Sequence, residues 1–246
     1  LCTNRTGCAL IIASQHNNLN SHILKLGNCL RTVFFDNIRY RNNTKKFLFC
    51  CKKQRCFSLF CKFFCLTLHL LGEHQLRNAA LAIETVSVLR EKGWSIPESA
   101  LREGLSAARW EARFELLRSD PPVIADGAHN PQCVEALARS LDVYLPGQKV
   151  VFLLGVLADK DYETMLARLL PYGKEFICLT PDSPRALGAD ELCAYLRAKG
   201  APAVSCDTAA EGVRRALEES GGETPVVACG SLYLMGEIRE AVKSGR

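Results

Sequence analysis

The chain has 246 residues, of which 48% are hydrophobic, enough for one large domain or two smaller ones. Its formal net charge of +5 is split unevenly: residues 1–70 carry 11 Lys and Arg against Asp36 alone, and the remainder carries 20 basic and 25 acidic residues. The apolar stretch from Phe57 to Leu71 is broken by Lys62 and His69 and falls short of the roughly 20 residues a spanning helix needs, so no membrane partner is expected.

The opening segment differs in type from the rest of the chain. Eight of the 13 cysteines and eight of the ten asparagines precede residue 71, but only two alanines do, Ala9 and Ala13. Basic and aromatic residues alternate around Arg31, Phe34, Phe35, Arg39, Tyr40 and Arg41. Clustered charge of this kind more commonly forms solvated surface, and no nucleic-acid partner is expected. Cys50, Cys51, Cys56, Cys61, Cys65 and His69 contain no C-x-x-C pair, so no metal site is expected there. The chain does not open on a basic stretch followed by an apolar core and a small-residue cleavage site, so no secretory leader is expected. Residues 1–69 read as a basic Cys/Asn/Phe-rich segment that is disordered or foreign to the rest.

From residue 71 the pattern changes. Leu71 to Leu89, closed by Gly93, reads as a helix of strong formers, and a second helix follows Pro97 through Leu105. Phe114–Leu117 and Val123–Ala125 flank Asp120-Pro121-Pro122 as two strands joined by a turn. Thereafter helices and strands alternate: helix 131–145, strand 149–155, helix 162–170, strand 175–180, helix 189–199, strand 203–205, helix 208–219, strand 225–229 and helix 231–242. Repeated βα units of this length predict an α/β fold, a Rossmann-like, mostly parallel sheet covered on both faces by helices. Neither G-x-G-x-x-G nor G-x-x-x-x-G-K-[ST] occurs, which removes two common nucleotide-binding signatures.

The chemistry concentrates at strand ends. Asp126 and His129 sit three residues apart between the run Val123-Ile124-Ala125 and a helix that starts at Asn130-Pro131, with Asn as N-cap and Pro as first helical residue. They either serve a ligand at the carboxyl edge of a sheet or merely cap the turn. Gly230-Ser231 repeats the pattern after the last strand, where Ser231 could cap a helix or lie in an anion site. Lys160, in Gly155–Asp161, could pair with a carboxylate or phosphate or stay in solvent. Cys133, Cys178, Cys193, Cys206 and Cys229 lie mostly in apolar runs and read as buried thiols in a reducing compartment.

Six motifs occur in this order: Gly72-Glu73-His74-Gln75-Leu76-Arg77-Asn78-Ala79-Ala80, Arg113-Phe114-Glu115, Asp126–Pro131, Asp159-Lys160-Asp161, Arg185-Ala186, and Gly230-Ser231-Leu232-Tyr233 with Gly236-Glu237. Together they make residues 70–246 resemble the C-terminal part of folylpolyglutamate synthase and dihydrofolate synthase, within the Mur ligase superfamily. The resemblance implies a helical remnant of a central ATPase domain at 70–110 and a glutamate ligase domain at 111–246. It also implies a cytoplasmic, monomeric ATP-dependent ligase that adds L-glutamate to a folate or dihydropteroate through an acyl phosphate. Asn78, Arg113, Asp126 and His129 would then bind ATP, His129 and Asp126 would act at the transferred phosphate with Lys160, and Lys160 and Ser231 would hold the glutamate. Mg2+ would be held by an ATPase domain that residues 1–69 do not supply, so the chain alone is expected to be inactive. Ala112 stands where the family usually has Gly. A non-catalytic nucleotide- or glutamate-binding module, or a related ligase acting on a cell-wall precursor, is the alternative reading. Limited proteolysis with mass spectrometry of the products should trim residues 1–69 and leave a resistant core starting near residue 70; protection of the N-terminal segment would contradict this.

Overall fold

The computed structural model describes residues 45–49 and 64–245. The expectations for residues 1–44 and 50–63 lie outside the described residues. The described residues divide into two compact units, one of 45–49, 64–70 and 74–109, the other of 71–73 and 110–245.

In the first unit β1 (Lys45–Phe49) and β2 (Phe64–Leu68) pair antiparallel, with Lys45 opposite Leu68. Helix α1 (Glu73–Glu91) ends before Gly93, whose φ of 90° suits a residue without Cβ. Helix α2 (Glu98–Ala107) begins just after Pro97. Leu68 and Leu76 form a small apolar cluster with Leu70 and Ala79.

The second unit is a six-stranded sheet. In chain order it contains β3 (Glu115–Ser119), β4 (Pro122–Ala125), α3 (Pro131–Tyr144), β5 (Val150–Leu154), α4 (Tyr162–Leu169), β6 (Gly173–Cys178), α5 (Ala189–Ala198), β7 (Ala203–Ser205), α6 (Ala209–Ser220), β8 (Val226–Cys229) and α7 (Leu232–Ser244). The spatial order is β3-β4-β8-β5-β6-β7. Only β3, at one edge, runs antiparallel to its neighbour; the remaining pairings are parallel. The α/β expectation therefore holds, with element ends shifted by a residue or two. Helix α4 stops at Leu169, one residue before the expected end, and a short 3-10 turn at Leu170–Tyr172 carries the chain past Pro171, which has no N–H to continue the ladder.

The interior strands read as continuous apolar runs because both of their faces are covered. Phe152, Leu154, Phe176 and Cys178 pack with α3, α4 and α5 on one face. Val151, Leu153, Ile177 and Ala228 pack with α6 and α7 on the other. Strand β8 lies between β4 and β5, and the helices that leave β4 and β5 run toward the face opposite to α7. Such reversals open a crevice at the carboxyl ends of the strands. Phe152 is fully buried and stacks on Phe176 at 5.1 Å between ring centroids. Truncation in the Phe152→Ala variant should lower unfolding stability by about 3–5 kcal/mol, measured by urea titration; a loss below about 1 kcal/mol would show that this layer is not close-packed.

Candidate functional site

The loops leaving β4, β8 and β5 meet at the crevice and are joined backbone to backbone. Asp126 N–H donates to Ala228 O at 2.9 Å, and Gly230 N–H donates to Ala128 O at 2.8 Å. A Cβ on Gly230, whose φ is 103°, would collide with the carbonyl oxygen of Gly155. This close approach is available only to glycine. The third loop is thereby pressed against the other two.

The Asp126 carboxylate organises the first loop. Its Oδ1 accepts from Ala128 N and its Oδ2 from Phe114 N, both at 2.9 Å. The residue is 6% exposed, and burial pushes its pKa up to about 6, against the opposing pull of those two amides, then of Arg113 and His129. Beneath it the Cys229 thiol is pushed well above its ordinary range by burial and by the nearby Asp126 charge. A buried thiol held protonated is a packing group, not a nucleophile.

Phe114 links the carboxylate to an unusual stretch of backbone. Ala112 has a φ of 52° and Phe114 a φ of 47°, left-handed conformations that cost L-residues roughly 1–2 kcal/mol each. A glycine at position 112 would avoid that cost. The ring of Phe114 is buried and lies 5.0 Å from that of Tyr144, which anchors the second left-handed residue by packing. Between the two, Arg113 is turned back over the loop after β4. Its Nη1 donates to Ala112 O at 3.3 Å, and a Cβ on Gly127 would stand 3.0 Å from the same Nη1.

His129 Nδ1 lies 2.8 Å from Gly127 O. A carbonyl oxygen only accepts, so Nδ1 carries the proton and Nε2 is the nitrogen available to a ligand. Asn130 caps α3, its Oδ1 accepting from Cys133 N at 2.8 Å, with Pro131 as the first helical residue, as expected. Arg113 and the N-terminal end of α7 thus bring positive charge and helix dipole to the edge of the sheet that also carries His129, an arrangement suited to an anion.

Ser231 is 1% exposed and its Oγ accepts from Tyr233 N at 3.3 Å, so it caps α7. Lys160 is half-buried in the loop after β5. Its neighbour Asp161 caps α4 by accepting from Thr164 N, and Asp159 pairs with Arg185 at 2.8 Å. Asn78 belongs to the first unit, where its Nδ2 donates to Gln75 Oε1 at 3.0 Å. Nothing local in the sequence signals the pairing of Glu115 with Arg239, 124 residues away. Among the described residues no group of three or more His, Cys, Asp or Glu side chains could hold a metal ion, and no helix is long and apolar enough to cross a membrane.

Because the pKa of Asp126 is higher in the folded chain than the ordinary 3.8, the fold binds this proton more tightly than the unfolded chain. The linked stabilisation is complete below about pH 4 and is lost as pH rises through 6. Relative to Asp126→Asn, which has no such proton, the native chain should gain about 1–2 kcal/mol between pH 7.5 and pH 5, read from paired urea unfolding curves. A pH-independent difference would mean that the carboxyl titrates normally.

The Mur ligase, glutamate ligase domain family matches residues 112–232. The chain is 33% identical to the folylpolyglutamate synthase of Lacticaseibacillus casei over 181 residues, 72% of this chain and 40% of that protein. It is 34% identical to the dihydrofolate synthase/folylpolyglutamate synthase of Bacillus subtilis over 176 residues, 71% of this chain and 40% of that protein. Among solved structures, Escherichia coli FolC in complex with DHPP and ADP superposes with a TM-score of 0.63 at 29% identity, covering 74% of this chain and 41% of that one. Mycobacterium tuberculosis folylpolyglutamate synthase complexed with ADP and AMPPCP superposes with a TM-score of 0.66 at 30% identity, covering 75% and 43%. The chain thus spans 40% of the length of each of the two curated relatives. Fold, motifs and relatives agree, and the C-terminal part of this chain belongs to the glutamate ligase domains of the Mur ligase family, in the form shared with folylpolyglutamate and dihydrofolate synthases.

Proposed function

We propose that the protein containing this chain joins L-glutamate to a folate or dihydropteroate at the expense of ATP, and that its C-terminal domain holds the nucleotide phosphates and the incoming amino acid. The observation that carries this reading is the placement of Arg113 over Gly127, in the loop that also presents His129. A planar guanidinium matches phosphate oxygens in pairs, and the His129 ring, when protonated on both nitrogens, can donate from Nε2 to a further oxygen. The relatives are folylpolyglutamate and dihydrofolate synthases, and both solved structures compared above are complexes with ADP.

A carboxylate resists attack by an amine until one of its oxygens becomes a leaving group, and ATP supplies that group as phosphate. Catalysis of such a transfer is mainly placement and charge neutralisation. In this reading Asp126 sets the loop, and His129 and Arg113 face the phosphates. Lys160 and the end of α7 capped by Ser231 receive the glutamate carboxylates. Mg2+ belongs to the same reaction, but its ligands are assigned to none of the described residues, which hold no fitting cluster. The sequence also lacks a G-x-x-x-x-G-K-[ST] cradle, so turnover requires residues beyond those of this chain. A monomer working in a reducing cytoplasm completes the proposal, and among the described residues the free cysteines at 133, 178, 193, 206 and 229 fit that compartment.

Calorimetric titration of the full chain with ADP should give saturable binding with a Kd on the order of millimolar, about −4 kcal/mol. Arg113→Ala should weaken it by roughly tenfold or more, the loss of a charge-assisted contact, and His129→Ala by a smaller factor. Binding that neither variant disturbs would place the nucleotide elsewhere.

A further inference from the structure

The segment Ala112–Phe114 is secured from two directions, and only one of them is the Asp126 carboxylate. On the opposite side, Glu115 Oε2 accepts from the Ala112 amide at 2.9 Å. The same carboxylate is gripped by Arg239 of α7, whose Nη1 lies 2.9 Å from Oε1 and 2.7 Å from Oε2. Arg239 Nη2 reaches Glu111 Oε1 at 3.1 Å. The Arg239 and Glu115 side chains are 15% and 27% exposed, which shields the pair from solvent more than an ordinary surface ion pair. Ala112 O, in turn, accepts from Gly127 N at 2.8 Å. Ala112 is therefore pinned by both its amide and its carbonyl in a backbone conformation that an L-residue disfavours. Arg113 is the next residue, so its direction is set by those two bonds.

We propose that Glu115 and Arg239 are positioning residues for Arg113: they hold Ala112 left-handed, keep the Arg113 guanidinium over Gly127, and thereby set affinity for nucleotide phosphates without touching them. The ligand named rests on the nucleotide reading of the proposed function; the positioning itself does not. Because Arg239 lies on α7, whose N-terminus borders the same crevice, a single helix supports both the loop before β3 and the loop after β8. The ion pair also explains how Ala can occupy position 112, since the clamp compensates for the conformational freedom that Gly would have provided.

The test uses the full chain, labelled with 15N, as wild type and as Arg239→Met, Arg239→Lys, Arg113→Ala and the Arg239→Met/Arg113→Ala double variant. In the absence of ligand, amide exchange at Ala112 should rise at least tenfold in Arg239→Met relative to amides of β5, with Arg239→Lys intermediate. With ADP as the probe, Arg239→Met should weaken binding about five- to twentyfold, and Arg113→Ala should add little in that background, because the two changes disable one contact. Unchanged exchange at Ala112 would overturn the clamp. Fully additive losses of ADP affinity would also overturn it, since Arg239 would then act independently of Arg113. If wild type fails to bind ADP while the exchange result holds, the nucleotide reading falls and the positioning of Arg113 stands.

Discussion

The geometry of this domain depends on one buried carboxylate. Asp126 sits at the end of β4 with each oxygen committed to a backbone amide, one in the segment before β3 and one in the turn that leads to α3. Carboxylates are seldom buried without compensation, and two amide donors supply it here at some cost, visible in the raised pKa. The consequence is mechanical. The left-handed residue Phe114 and the turn bearing His129 are fixed to the same side chain, so two segments that enter the sheet on different strands keep a common reference.

Around that centre the molecule relies on close approach more than on side-chain contacts. The backbone of Gly230 lies so near the carbonyl of Gly155 that no Cβ fits, and Gly127 leaves room for the Arg113 guanidinium and for Leu232. The polar groups of the site are thus brought together by removing side chains where strands end. The rigid support comes from the strands behind, where β5 is buried along its whole length and helices cover both faces.

Much of this could be read from the residues alone, because local order leaves local marks. Asn130-Pro131 marked the start of α3, Gly93 the end of α1, and the alternation of apolar strands with amphipathic helices marked the α/β sheet. The strand-end position of Asp126 and His129 came from the same pattern. Relations between distant parts of the chain were not legible. Periodicity along β8 does not say that it lies between β4 and β5, and the Ala112–Phe114 segment carries no glycine to announce its left-handed turns. Glu115 and Arg239 meet only after α7 has folded against the sheet. Ser231 was readable as a cap or as a ligand-binding group, and its hydroxyl is engaged in capping.

The position of β8 has a consequence for how the domain comes into being. The strand nearest the end of the chain is the one that separates β4 from β5, so both earlier strands leave the ribosome with an unpaired edge facing the place it will fill. Exposed edges of this kind are prone to pair with other chains, and the contacts that cover them join residues as far apart as Val123 and Val226 on one side and Val151 and Val226 on the other, which slows their formation. Until residue 229 has been synthesised, the crevice has no floor. The feature that brings three loops together in the finished protein is also the last to be delivered, so translation itself sets the earliest moment at which this domain could receive a ligand.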